Sequence, residues 1–552
     1  MPSPISRPAL LFRAACGAAF LGALYLFLLH AVVHTRGVWA NDQGMKALLV
    51  QHLARGGLGD PALPYPAKDL DPEGRFSPLP KMFTWTHEGR SYSIFSHAYA
   101  ALAVPFYRAL GFPGLYLPSI LGAAAAALAA ALMARRAIPD LPPVLALLVA
   151  GLATPLAFYA LVLWEHAFST ALLGGSLVAL LAGLERSRRA LFVASGVLAG
   201  IAFWMRLESA WFVPALAVAA WMRDRRSTAP ILLGAALAVL PLLLYNARVF
   251  GHLLGPDVAF HYGSGESEFV RGFLETRGPI LSDLLLDDAT RPWLWIALAA
   301  LAASWIFRRP ALEAPLLLVL AAAATWGYLA PRPNAIHQDL WSSAPFVLLA
   351  LAPLRGSSGA AAPALRTIRW TVALYVGAVS ATAPNAGGAQ FGPRYLLPAY
   401  VALAVLALAA VAERLRTRSG RALAAVAPLA LLALSFLVQE RGVRVLGEMT
   451  RRSIALLSAV EGQASDVVVA DEGWFAQILG PVYLDRRVLL AESEEEHDAL
   501  VALFRTRGVS RWTFLAVSEW GRNAAIESRG GLEFRPILAL RADVILFDVA
   551  AR

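Results

Sequence analysis

Cysteine is almost missing from this 552-residue chain: Cys16 is its only one, and it lies inside the first apolar run. A disulfide framework and a cysteine-built metal site are excluded on that ground. The chain also shows no internal repeat, and its C-terminal part carries neither a phosphate-cradling glycine loop nor a nucleophile motif. No A-x-A-like cleavage pattern stands between the first apolar run and Asn41-Asp42. That run, Ala14 to Val33 behind Arg7 and Arg13, is therefore expected to be an uncleaved transmembrane helix rather than a signal peptide.

Apolar residues are what the chain has in excess. They make up 58% of it, and the mean hydropathy is +0.58. Runs of spanning character occur near 12–33, 114–134, 142–163, 167–184, 190–205, 208–222, 229–247, 292–307, 311–330, 341–354, 369–383, 395–412 and 422–438. A soluble domain does not string together such runs, so the expectation is an all-α polytopic membrane protein of about 13 transmembrane helices. The run 98–110 is shorter and contains Pro105, and is expected to lie in the interface.

The net charge of +10 is almost all arginine, and its placement follows topology rather than nucleic acid. With the N-terminus in the cytoplasm and 98–110 not crossing, the inside loops are Arg135-Arg136, Arg186 to Arg189, Arg223 to Arg226, Arg308-Arg309, Arg355 to Arg369 and Arg414 to Arg421. Each is an arginine cluster, as the positive-inside rule requires. An odd number of crossings puts the C-terminus outside. The expected location is the inner (plasma) membrane, with the C-terminal domain periplasmic or extracellular.

The outside segments have a different composition. The first, about 34–113, is long and rich in Pro, Gly, Asp and aromatics; others are Trp164-Glu165-His166, Arg206-Leu207-Glu208, 246–263, 331–339 and 384–395. Ionisable groups at span ends on one face are costly unless paired or functional, which points to a site on that face. Val38 to Arg55 reads as an amphipathic surface helix, with Asn41-Asp42 as its cap, Met45, Leu48, Leu49 and Leu53 on one side, and Lys46, His52 and Arg55 on the other. Asp42 at that helix start is favoured as the anion, able to accept a hydroxyl hydrogen bond, and equally suited to plain capping. Glu165 and His166 are site candidates, too few by themselves to hold a metal. Arg206 and Glu208 form either a turn-stiffening ion pair or a phosphate grip. Arg394, in a Gly-rich stretch beside Tyr395, is placed to hold an anionic headgroup. Lys81, His87 and His97 in the first loop rank lower, with His337 and Asp339 lower still.

From about 441 the chain turns more polar. The runs 466–471, 486–491, 511–518 and 542–550 read as strands, and 494–508 as a helix stopped by Gly508. Residues 441–552 are expected to form a small soluble extracytoplasmic α/β domain, following a membrane domain of 1–440 with interfacial helices 43–55 and 98–110.

Asn41-Asp42-Gln43-Gly44, Trp164-Glu165-His166, Arg206 with Glu208, and Gly392 to Tyr395 together resemble the membrane glycosyltransferases of the GT-C fold. The likeness is to the bacterial protein mannosyltransferase and aminoarabinose transferase branch, and it covers residues 1–440. It implies a polyprenyl-phosphate-linked sugar donor, a lipid, glycan or protein acceptor on the outer face, and inverting displacement. It makes Asp42 the candidate base and Glu165 the second-loop acid. By their placement in the outside segments, His166, Arg206, Glu208, Arg394, Tyr395, Lys81 and His97 are the candidates for binding the substrate. The residues establish no cofactor; a divalent metal ion held by Asp42, Glu165 and His166 stays open. So do two other activities, a non-enzymatic lipid or solute transporter and a lipid-linked glycan ligase or polymerase. No nucleic-acid partner is expected.

Overall fold

The computed structural model describes residues 7–551 apart from 80–82, 264–272, 287–290, 308–309, 331–338, 355–360, 389, 418–420, 527–530 and 542–543. The chain is a polytopic, mostly helical membrane protein with a small C-terminal α/β sheet domain. Its contacts divide it into two compact units. One comprises Met1–Leu29, Pro118–Tyr245 and His261–Val445; the other comprises His30–Leu117, Asn246–Phe260 and Leu446–Arg552.

Among the described residues, six helices are long and apolar enough to cross a membrane: Phe12–Val33, Phe112–Ala137, His166–Arg186, Arg225–Phe250, Arg394–Arg416 and Ala425–Glu461. Five shorter apolar helices accompany them. The run 341–354 is not a long helix. Its core is a buried 3-10 helix, Pro345–Leu351, roughly 14 Å long against a hydrocarbon thickness of about 30 Å. The run 142–163 is broken as well, into Pro143–Leu152 and Leu156–Tyr159. Pro155 cannot continue a helical hydrogen-bond ladder, and Thr154 Oγ1 donates back to Ala150 O at 2.6 Å.

Within the first unit small residues set the packing. Gly122 lets the backbone of Phe168 approach, and Gly196, Gly200 and Gly234 bring Arg189–Met205 against Thr228–Phe250. The helices His166–Arg186 and Arg189–Met205 form a hairpin. Ser176 Oγ donates to Ser195 O at 2.7 Å, and Ser195 Oγ donates to Ser176 O at 2.9 Å. These pairs satisfy hydroxyls buried between the two helices.

The second unit holds two sheets. Strands β1 (Thr84–His87) and β2 (Arg90–Ser93) form an antiparallel hairpin. Its tip, Glu88-Gly89, has positive φ at both residues, the tight turn that suits strand twist. The larger sheet uses β3 (Val467–Ala470), β4 (Arg487–Leu490), β5 (Arg511–Ala516), β6 (Leu532–Arg541) and β7 (Val544–Ala551) in the order β4-β3-β5-β7-β6. The first three are parallel and the last two antiparallel. Four of these strands were legible as apolar runs; β6, with its Arg and Pro residues, was not. The helix Glu494–Arg507 starts at Ser493, whose Oγ accepts from Glu496 N, and ends at Gly508 in the left-handed region.

Two expectations are revised here. Residue 440 lies inside one unbroken helix, Arg421–Glu461, so composition changes where backbone structure does not. The sheet's core also includes Ala67, Leu70 and Phe76 from the first outer loop, and Phe76 O accepts Leu490 N from edge strand β4 at 2.8 Å. The loop completes the domain that 441–552 was expected to form alone.

The Asn41–Gly56 helix is likewise not laid out on a surface. Its residues from Asp42 to Gln51, together with Leu53, are buried within the second unit. Lys46 is among them, rather than on an outward polar face, with its Nζ 4.8 Å from the ring of Phe95. Gly44 and Gly480 admit the opposing backbones so closely that a Cβ on either would overlap main-chain atoms. Arg55 does face outward and binds Asp485 through two hydrogen bonds of 2.9 and 2.8 Å. The capping position is Ala40 rather than Asn41 or Asp42, which places Asp42 in the first turn.

Candidate functional site

Two polar triplets and a third polar segment, all distant in sequence, meet within the first unit. Trp164-Glu165-His166 leads into His166–Arg186, with Glu165 at the capping position of that helix. Its carboxylate is 1% exposed, a costly burial unless countered. Arg206 counters it. It follows directly on Arg189–Met205, in extended backbone, and its Nη1 donates to Glu165 Oε1 at 2.9 Å. Its Nε donates to Glu208 Oε1 at 3.0 Å and Oε2 at 3.2 Å. One guanidinium thus bridges two carboxylates.

The Gly392–Tyr395 segment supplies the rest. Arg394 lies over the ring of Trp164 at 4.9 Å and over Tyr395 at 5.6 Å. Arg206 lies over the same Tyr395 ring at 5.5 Å. The two arginines therefore have different settings, Arg206 bracketed by carboxylates and Arg394 by aromatic faces. A guanidinium that rests on aromatic rings is held in a fixed plane, and its planar fork matches phosphate oxygens.

Several holding residues escaped the sequence reading. Gln390 Oε1 accepts Arg394 N at 3.0 Å, and Asn385 Oδ1 accepts the Tyr395 hydroxyl at 2.8 Å. Tyr375 Oη donates to Tyr395 O at 2.8 Å. Tyr159 Oη donates to Gly392 O at 3.4 Å, while its ring packs 5.8 Å from Trp164 and 5.4 Å from His166. Ser169 and Ser209 share a hydroxyl hydrogen bond of 2.8 Å that ties the second triplet's turn to the first triplet's helix. Gly392 takes φ +67, and Ser343 Oγ and Pro155 stand where a side chain would go. A Tyr inside an apolar run carries no sequence signal that separates it from core, which is why Tyr159 and Tyr375 were missed.

The remaining candidates are placed otherwise. Asp42, buried in the first turn of its helix, and His97, beside Phe250 at 4.8 Å, belong to the second unit. Burial pushes the His97 imidazole down to about 4, against a weaker opposing hydrogen bond to the Phe95 backbone. Its Nε2 is buried with no hydrogen-bond partner among the described residues. Asp339 accepts Trp341 N at 2.8 Å and Ser342 N at 2.7 Å and so shapes its own turn. Lys81 and His337 lie outside the described residues.

Among the described residues no group of three or more His, Cys, Asp or Glu is arranged to hold a metal ion. Glu165 and Glu208 are both paired with the Arg206 guanidinium.

No protein-family model matches the chain, and no curated protein sequence does. Solved structures match along nearly its whole length. ArnT from Cupriavidus metallidurans bound to undecaprenyl phosphate aligns with a TM-score of 0.54 at 13% identity, covering 96% of this chain and 97% of that one. The same protein in the apo state gives 0.54 and 13%, covering 97% and 98%. The oligosaccharyltransferase AglB from Archaeoglobus fulgidus, in complex with an inhibitory peptide and a dolichol-phosphate, has a TM-score of 0.48 at 12% identity, covering 93% and 71%. The fold is the GT-C fold.

Proposed function

We propose that this GT-C-fold chain is a glycosyltransferase that moves a sugar from a polyprenyl-phosphate donor to an acceptor on the outer face of the inner membrane. The observation that carries the reading is the convergence of Trp164-Glu165-His166, Arg206-Glu208 and Arg394-Tyr395 on one buried charged cluster. Structural guanidinium pairs need one partner; here two guanidiniums share a tyrosine ring, and one of them rests on aromatic faces. That setting suits an anionic headgroup, and ArnT, of like fold, was solved with undecaprenyl phosphate.

In the proposed reaction the bond between the anomeric carbon and the phosphate oxygen breaks, and its electron pair leaves with the polyprenyl phosphate. Arg394 steadies the charge that grows on that phosphate. The acceptor oxygen bonds to the opposite face of the carbon, inverting it, and its proton passes to a carboxylate. Asp42 is the proposed base, because it is the carboxylate in the first turn of the outer-loop helix Asn41–Gly56. Glu165, which accepts Arg206 Nη1 at 2.9 Å, is assigned to holding Arg206 in place.

The test is to supply the purified protein in liposomes with undecaprenyl-phosphate-linked radiolabelled sugars and envelope extract. Transfer of label with release of undecaprenyl phosphate supports the reading. Label that crosses the bilayer still attached to its lipid supports a transporter instead.

A further inference from the structure

Four aromatic side chains in the second unit are gathered around one ring, and none of the four is fully buried. The ring of Phe83 is the hub, with centroids 5.4 Å from Phe95, 6.3 Å from Phe260 and 5.8 Å from Trp474. The rings come from four segments: the first outer loop on either side of the β1–β2 hairpin, residues 246–260, and the Gly473–Ile478 helix. Trp474 is 46% exposed, although core packing would bury so large a ring. Lys46, itself buried, has its Nζ 4.8 Å from the centre of the Phe95 ring.

Two further features set this cluster apart from incidental packing. Phe83 is held at φ +53, a conformation that a bulky residue rarely adopts, and its carbonyl accepts Ile94 N at 3.1 Å. Such conformations persist where the surroundings dictate them and gather at ligand sites. The helix bearing Trp474 is also locked in position, because Gly44 lets the Gln477 backbone come into direct contact with the Asn41–Gly56 helix. That helix carries Lys46, so the exposed indole and the ammonium are mounted on elements in backbone contact.

We propose that Phe83, Phe95, Phe260 and Trp474, with Lys46, form a saccharide-binding platform that receives the sugar ring of a glycan acceptor. The C–H face of a pyranose is electropositive and matches the negative face of an aromatic ring, while hydroxyl and anionic substituents match an ammonium. All four rings lie outside the apolar helices. A prenyl chain belongs among those helices, whereas a sugar belongs in the polar layer. The platform gives the acceptor a chemical class and so rests on the glycosyltransferase reading.

Saturation-transfer NMR tests the platform without requiring turnover. Full-length protein in nanodiscs is presented with methyl glucoside, methyl mannoside and N-acetylglucosamine in turn, and an unrelated tripeptide serves as control. The wild type transfers saturation to ring protons of at least one saccharide. Trp474→Ala weakens that binding about tenfold, whereas Trp474→Phe stays within about threefold. Equal binding by wild type and Trp474→Ala overturns the proposal. So does the absence of saccharide signal in the wild type, or a signal from the tripeptide alone. Hydrolysis of an undecaprenyl-phosphate sugar by the wild-type sample is measured alongside. Absence of hydrolysis in the wild type counts against the glycosyltransferase reading, while saccharide binding in the NMR experiment decides the platform separately.

Discussion

Arg206 lies 2.9 Å from Glu165 and 3.0 Å from Glu208, joining the ends of two apolar helices through one guanidinium. Removing it strands two carboxylates in low dielectric. Arg206→Ala is expected to cost about 3–5 kcal/mol of stability, read as a lowered Tm in detergent. Glu165→Gln in the Arg206→Ala background recovers part of that loss, since one stranded charge is gone. A double variant no more stable than the single one would show that the pair is not coupled.

Arg394 separates charge from shape. Arg394→Ala is expected to raise the donor KM by roughly 10–100-fold, the worth of a charge-assisted hydrogen bond of about 1.5–3 kcal/mol. Arg394→Lys keeps the charge but loses the planar fork and its ring stacking, and recovers only part of the affinity. Titration with undecaprenyl-phosphate sugar measures both. Donor affinity unchanged in the alanine variant would reassign Arg394 to interfacial anchoring.

Asp42→Asn preserves size and removes the base. It is expected to abolish transfer while leaving expression and membrane insertion intact. Turnover within a few-fold of wild type would take the base role away from Asp42.

Acid sensitivity of the second unit is expected to come partly from His97. Its folded value is pushed below the usual 6.5, so the unfolded chain binds the extra proton first. The stabilisation that its neutral form gives is complete above about 6.5 and lost as the pH falls from there towards about 4. His97→Asn should therefore flatten the dependence of Tm on pH across that window. An unchanged slope would assign the acid sensitivity elsewhere.

Topology gives a separate test. A reporter fused after residue 552 is expected to read outside the cytoplasm. A cytoplasmic signal would mean an even number of crossings, and the short 3-10 helix Pro345–Leu351 marks the first place to look for the missing span.

The cluster in the first unit was legible because its charged members stand in apolar surroundings. Glu165, Arg206 and Arg394 could be picked out at span ends by the cost of putting charge there. What periodicity could not convey was which of them would meet, or that Tyr159, Tyr375 and Gln390 would hold them. The Asn41–Gly56 helix failed in the opposite way. Its polar positions suggested a wet face, but Lys46 finds an aromatic ring and the glycines find backbone, and neither partner is near in sequence. A helical repeat tells which residues share a side, not what will cover it.

That covering has a consequence for how the chain is made. Gln51 Nε2 donates to Gly480 O at 3.5 Å across 429 positions of sequence. A ribosome adding about 5–20 residues per second needs on the order of 20–90 s to produce the second partner after the first. Throughout that interval the early helix lacks its contacts with Gly473–Ile478 and Gly480–Asp485, although His97–Leu110 is already there to pack against it. The amphipathic pattern that suggests a membrane-surface helix then describes a waiting state, in which the nascent segment can rest on lipid until the last hundred residues arrive.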